Sequence, residues 1–327
     1  MERKKIKINK YIRNIKPPHL QQNGHLQTIV PALFRNIRDV EYRRERISTP
    51  DDDFLDLDWT QIQGQNLVIL CHGLEGSSSK AYIKGVARYF QRRGWSCLAW
   101  NYRGCSKEIN RQVYFYHAGA TNDLKTVIGF IYHHYPRLNV FLLGFSLGGN
   151  LILKYLGEQG SALPENIVKA ICFSVPLDLH KSCLQISTGV NQIYSWRFLS
   201  MLKQKVLRKA KLYPGYFDLQ RLHKIHRLLD FDDQFTAPMH GFKNAADYYH
   251  QCSSLNYIDT ISIPTLIVNA RNDPFLSDSC YPTETLKNHD WLEMITPLQG
   301  GHCGFADRHL GDIYWSEVIS WNYFNLQ

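Results

Sequence analysis

No stretch of this sequence approaches the ~18 to 20 consecutive apolar residues needed to span a bilayer. The opening MERKKIKINKYIRNIK carries seven Lys or Arg and has no apolar centre, so it is not read as a secretory leader. Eight cysteines occur in 327 residues without any C-x-x-C or zinc-type spacing. A disulfide framework is therefore not expected, and reduced thiols in a cytoplasmic protein are. Fourteen histidines include no H-E-x-x-H, so no metal is expected. The glycines of GLEG (residues 73–76) lack the dinucleotide fingerprint, so no nicotinamide or flavin cofactor is expected either. Internal repeats and low-complexity tracts are also missing.

Acidic residues are in deficit, 29 against 38 Lys and Arg, for a formal net charge of +9. Such a balance favours anionic partners. The basic residues gather at the N-terminus, in RNIRDVEYRRER (residues 35–46) and in KQKVLRKAK (residues 203–211). None of the three has a nucleic-acid-binding motif or stacking aromatics among glycines, so no nucleic-acid partner is expected. The plain reading is solvated basic faces. The sharper one is loose, peripheral contact of the basic N-terminus with the anionic inner surface of a membrane.

What remains is ample core material, 44% apolar and 13% aromatic residues. Apolar runs at 66–73, 95–103, 139–146, 167–175, 265–273 and 291–302 read as strands. Amphipathic helical stretches lie at about 77–94, 122–135, 147–158 and 311–324, with serines at 77–79 available to cap the first of them. This alternation predicts a mostly parallel sheet covered by helices on both faces. VEYRRERIST and FLDLDWTQI, upstream, read as amphipathic strands forming an antiparallel start. The alternation breaks over about 176–256, a helical, basic segment too long for a loop. It reads as a cap. The expected organisation is a basic extension over residues 1–39 packing on the core, followed by one α/β domain over 40–327 that carries the cap.

GFSLG, residues 144–148, is a G-x-S-x-G between a predicted strand and a predicted helix. That context suits a nucleophile elbow, whose sharp turn exposes a serine hydroxyl at a helix N-terminus. A serine hydroxyl needs a base, and the base needs an orienting acid, in the chain order Ser, acid, His. Asp273, read as the end of one strand, and His302, read as the end of the next, meet that order. Ser146, Asp273 and His302 are thus the candidate catalytic residues. The backbone N–H groups of Leu74 and Leu147 are the candidate oxyanion donors. Several neighbours read more plainly. Cys303 is expected to point away from His302, His72 to hold its loop, and Asp123 to start a helix. His133 and His134 are expected on a solvated helix end. Asp307, spaced H-x4-D from His302, keeps an acyltransferase reading open.

Beyond these residues, HLQTI (25–29), HGLEGSS, NYRGCS, GFSLGGN, FDDQFTAPMHGF (231–242), DYYHQCSSL, IPTLIVNARNDPF and GGHCGF together resemble the YheT-like branch of the α/β-hydrolases. The resemblance runs from about residue 19 to 306. It implies an α/β-hydrolase fold and a cofactor-free serine esterase acting on small-molecule or lipid esters, with Ser146, Asp273 and His302 at its triad positions. Lys107, Ala118, Ala120 and Asn122 depart from the family's more acidic, glycine-containing pattern. Asp232, Asp233 and Thr236 are expected to fix the docking of the cap by hydrogen bonds. A catalytically idle binding protein on the same fold is the reading from a different class.

Overall fold

A computed structural model describes residues 15–326 of the chain. The basic cluster at the N-terminus, Lys16 apart, lies outside the described residues. Eight strands form one sheet: β1 (Arg43–Ser48), β2 (Phe54–Trp59), β3 (Asn66–Cys71), β4 (Ser96–Asn101), β5 (Asn139–Phe145), β6 (Ile167–Phe173), β7 (Thr265–Val268) and β8 (Leu292–Ile295). Their order is β1-β2-β4-β3-β5-β6-β7-β8. The pairs β1–β2 and β2–β4 are antiparallel, and every other pair is parallel. NLVILC and the other central strands are apolar along nearly their whole length, Asn66, Asn139 and Lys169 apart, because helices cover both faces.

Helices α1 (Gly24–Phe34), α2 (Ala81–Gln91), α3 (Thr121–His134) and α4 (Leu147–Gln159) pack around this sheet. Between β6 and β7 the chain leaves the sheet for a helical segment that includes α5 (Leu179–Ile186) and α6 (Gln192–Leu212). A final helix, Trp315–Asn325, returns against α2 and β6. Among the described residues no helix is long and apolar enough to cross a membrane.

Several local expectations are corrected. FLDLDW is not amphipathic but buried at all six positions. Asp56 and Asp58 can sit inside because Arg46 and Arg44 of β1 reach over them in paired hydrogen bonds of 2.7 to 3.0 Å. These bidentate contacts offset the cost of burying a carboxylate. The serines before α2 do not cap it. Its N-cap is Lys80, which makes no side-chain capping bond, while Ser78 donates to Asp58 Oδ2 at 2.5 Å and so ties its loop to β2.

The cluster at residues 203–211 is not simply a solvated face. Lys205 and Lys209 are buried, Lys205 against Glu75 at 2.5 Å and Lys209 donating to the carbonyls of Asn110 and Gln112. Arg35, Arg44 and Arg46 are likewise committed to ion pairs with Glu317, Asp58 and Asp56. Much of the positive charge therefore braces the fold.

Candidate active site

Strand β5 ends at Phe145 and α4 begins at Leu147, which leaves Ser146 alone on the turn with φ 54° and ψ −122°. A non-glycine residue in this region is strained and persists only where its surroundings impose it. The flanking glycines are required by space. A Cβ on Gly144 would lie 2.6 Å from the carbonyl carbon of Gly148, and one on Gly148 would lie 2.3 Å from the carbonyl oxygen of Cys71. The strand can turn directly into the helix only without those side chains.

Asp273 and His302 do not end strands. Strand β7 stops at Val268 and β8 at Ile295, so both residues stand on the loops beyond. After β8 the chain passes Pro297 and then Gly300 and Gly301, both at positive φ, which turns it off the sheet. These loops bring the two side chains to Ser146 at the carboxyl edge. The Ser146 hydroxyl donates to His302 Nε2 at 2.9 Å, in the tautomer where Nδ1–H donates to Asp273 Oδ2 at 2.9 Å and Oδ1 at 3.0 Å. Phe275 stacks on the imidazole at 3.9 Å between centroids, and its own N–H donates to Asp273 Oδ1. Ring and carboxylate are thereby fixed together. Burial works against charge on His302, but the Asp273 carboxylate and, after it, the Cys303 side chain together outweigh it and raise the imidazole pKa above its usual value.

Helix α1, within the extension expected only to pack on the core, supports both loops. Gln27 Oε1 accepts from Gly300 N–H at 2.7 Å and from Asn272 Nδ2 at 3.0 Å. Thr28 Oγ1 accepts from His302 N–H at 2.9 Å. The only hint in the sequence was that HLQT belongs to the family resemblance.

The remaining candidates fall as follows. Leu74 and Leu147 line a largely apolar cavity together with Ser146 and His302. Asp123 is engaged by the Arg103 guanidinium, which also pairs with Asp51 and Asp53, and so braces the start of α3. His72 is buried, accepts from Tyr102 N–H, and is pushed down to about 3 chiefly by that burial. Cys303 N–H donates to Ser174 Oγ, but its side chain does not turn away from His302 as expected: it interacts with the imidazole, and the residue lines a second pocket that shares Ser146 and His302 with the first. Asp307 accepts from the backbone N–H groups of Lys16 and His309, which commits its carboxylate to the N-terminal segment. His133 and His134 are exposed on α3. Ala118 lines the cavity and donates its N–H to Tyr248. The FDDQFTAP residues divide their work. Asp233 caps the chain at Ala245 N–H, whereas Asp232 and Thr236 reach the cavity wall.

A family model described as "alpha/beta hydrolase fold" matches residues 66–308. The chain belongs to the α/β-hydrolase family. Within it the chain is YheT-like: it is 36% identical to YheT of Escherichia coli (strain K12) over 292 residues, 86% of this chain and 84% of that protein. It is also 28% identical to human phospholipase ABHD3 over 294 residues, covering 87% of this chain and 71% of the relative. Among solved structures, the Pyrococcus furiosus esterase Pf2001 superposes with a TM-score of 0.59 at 16% identity, covering 96% of this chain and 97% of that one. This last likeness concerns the fold. A hydrolase activity of the esterase or lipase type is what this family membership carries.

Proposed function

We propose that the protein is a serine hydrolase of carboxylic esters that works through an acyl-enzyme. The observation that carries this reading is the contact of Ser146 Oγ with His302 Nε2 at 2.9 Å, backed by Asp273, on the wall of an apolar cavity. As the Ser146 oxygen attacks the ester carbonyl, its proton passes to His302 Nε2. Asp273 steadies the imidazolium that forms. The backbone N–H groups of Leu74 and Leu147 serve as donors to the developing oxyanion. The proton on His302 then leaves with the alcohol. In the second half, water gives a proton to His302 as its oxygen attacks the acyl carbon, and His302 returns that proton to the departing Ser146 oxygen as the acid is released.

The helical segment of about residues 176–256 acts as the cap. Pro176, Leu179 and Tyr249 from it line the cavity that also holds Ser146. A cavity this apolar suits the hydrocarbon of short- to medium-chain or lipid-like esters. A relative named as a phospholipase is consistent with that substrate class. Asp307 is occupied by backbone donors, so the acyltransferase reading has no observation in its favour. No metal or cofactor has a role in these steps.

The test is labelling with a fluorophosphonate probe followed by a chain-length series of acyl esters. Wild-type protein should label and turn over the esters, and Ser146→Ala should do neither. A wild-type chain that resists the probe, or a Ser146→Ala chain that keeps full turnover, would end the proposal.

A further inference from the structure

The chain from Leu228 to Met239 is helical but not uniformly so, because residues Asp232–Thr236 form a π-helix. Such turns are rare and cluster at functional sites. Here the π-turn sends both of its polar ends, Asp232 and Thr236, to the wall of the cavity that contains Ser146. Thr236 Oγ1 donates to Asp232 Oδ1 at 2.6 Å, and Tyr249 Oη donates to Asp232 Oδ2 at 2.6 Å. Each carboxylate oxygen therefore keeps a lone pair free. Asp232 is deep in the protein yet retains accessible surface, and the space open to it is the cavity.

Among the described residues, no cation pairs with this carboxylate, and burial alone pushes its pKa up to about 6. A half-buried carboxylate with two hydrogen bonds but no cationic partner is costly to keep ionised. Asp233, next in sequence, instead accepts from Ala245 N–H at 3.0 Å and does not line the cavity. The cavity around it is otherwise mainly apolar, with aromatic faces from Phe115, Tyr248 and Tyr249. An acceptor at one point of an apolar cavity selects a ligand that is apolar along its length and carries a donor where the acceptor stands.

We propose that Asp232, presented by the π-turn and oriented by Thr236 and Tyr249, is a specificity residue for substrates whose buried arm carries a hydrogen-bond donor, a hydroxyl or an ammonium. The inference rests on the ester-hydrolase reading and deepens it. Aromatic rings beside a carboxylate suit an ammonium as well as a hydroxyl. The donor could belong to the acyl or to the alcohol part of the ester.

The test compares matched esters over a graded chain-length series. In one set the acyl chain ends in methyl, hydroxyl or ammonium; in the other the alcohol chain does. At one chain length, in one set, wild-type protein should favour a donor-ended ester over its methyl-ended partner by roughly 10- to 100-fold in kcat/KM, as expected for a hydrogen bond to a charged group. The set that responds identifies the arm, and the better donor identifies the head. Asp232→Leu should reverse that preference while labelling of Ser146 by a small fluorophosphonate persists, and Tyr249→Phe should weaken it. A wild-type enzyme indifferent to the terminal group in both sets overturns the proposal, whatever the variants do. So does an Asp232→Leu protein that labels normally and keeps the wild-type preference. Failure of the wild-type protein to label points instead at the ester-hydrolase reading.

Discussion

The side-chain hydroxyl of Thr28 accepts the backbone N–H of His302 at 2.9 Å, across 274 positions of sequence. Its own proton goes to the carbonyl of Gly24 one helical turn earlier, at 2.6 Å. The hydroxyl is thus oriented by α1 and offers its lone pair to one peptide of the histidine loop. With Gln27 holding Gly300 and Asn272, one helix turn fixes the height of the imidazole above Ser146. The HLQT stretch acts on the site through its loops; Thr28 does not line the apolar cavity but borders the second pocket beside Ser146 and His302.

Thr28→Val keeps the shape of the side chain and removes the acceptor. The His302 N–H is then left without its partner, at a cost of about 1 to 3 kcal/mol. The expected result is a lower Tm and a fall in kcat of roughly 10-fold, with KM little changed, because the loop rather than the cavity is disturbed. Thr28→Ser should restore most of the activity. Equal losses in Thr28→Val and Thr28→Ser would argue that packing, not the hydrogen bond, matters there.

Ser146→Ala and His302→Ala should each lower kcat by roughly 10⁴ to 10⁶, and the double variant should be little worse than either, as for groups that act as a unit. Asp273→Asn should cost roughly 10³ to 10⁴ by disturbing the imidazole's tautomer. Cys303→Ser should be mild, since the proposed nucleophile is Ser146, the Cys303 backbone is anchored to Ser174, and a serine hydroxyl keeps a polar group beside His302. Steady-state kinetics on a soluble ester read all five variants. An inactive Cys303→Ser beside an active Ser146→Ala would reverse the assignment of the nucleophile.

Legibility in the sequence followed how local each signal was. The elbow is a local pattern, strand then turn then helix, and GFSLG with its apolar neighbours displays it within a few residues. Asp273 and His302 could be nominated only by chain order. The runs that carry them, TLIVNARND and WLEMITPLQGGH, blur strand into loop because loops at the sheet edge are themselves partly buried. The alternation in FLDLDW read as a solvent face since no local rule shows that Arg44 and Arg46 will cover its aspartates. The roles of Gln27 and Thr28 rest on contacts spanning more than 270 positions, and periodicity does not encode such distances. The π-turn at Asp232 had no sequence signature at all, although FDDQFTAP stood out as part of the resemblance.

The pH profile follows from the Asp273–His302 pair. His302 must be neutral to take the Ser146 proton, so kcat/KM should rise with pH as the imidazole deprotonates. Burial alone would lower its pKa, but the Asp273 carboxylate, with a further contribution from Cys303, reverses the sign and raises it. The acid limb should therefore lie above the ordinary histidine value of about 6.5. Asp273→Asn removes the charge and should move the limb to lower pH, even as the plateau drops. The same shift makes the ionised pair stabilising at low pH, with that contribution lost as pH rises through the folded-state pKa. A limb that stays in place in Asp273→Asn would show that another group controls it.

Lys205 of α6 and Glu75, the residue after Leu74, form an ion pair of 2.5 Å whose side chains are only 3% and 8% exposed. Glu75 has φ 51°, an uncommon value for a residue with a side chain, and Tyr116 Oη also donates to its carboxylate at 2.8 Å. Helix α6 thus grips the loop that carries a proposed oxyanion donor. Removing one partner strands a buried charge, which costs about 3 to 5 kcal/mol, whereas replacing both can be nearly neutral. Lys205→Met should therefore lower Tm markedly, and Glu75→Gln added to it should recover much of the loss. Activity separates a structural brace from a link to the site. If the pair holds Leu74 in place, the double variant should regain stability while kcat stays depressed, because the loop is no longer tied to α6. Recovery of kcat in step with Tm would mean that the pair stabilises the fold without setting the position of Leu74.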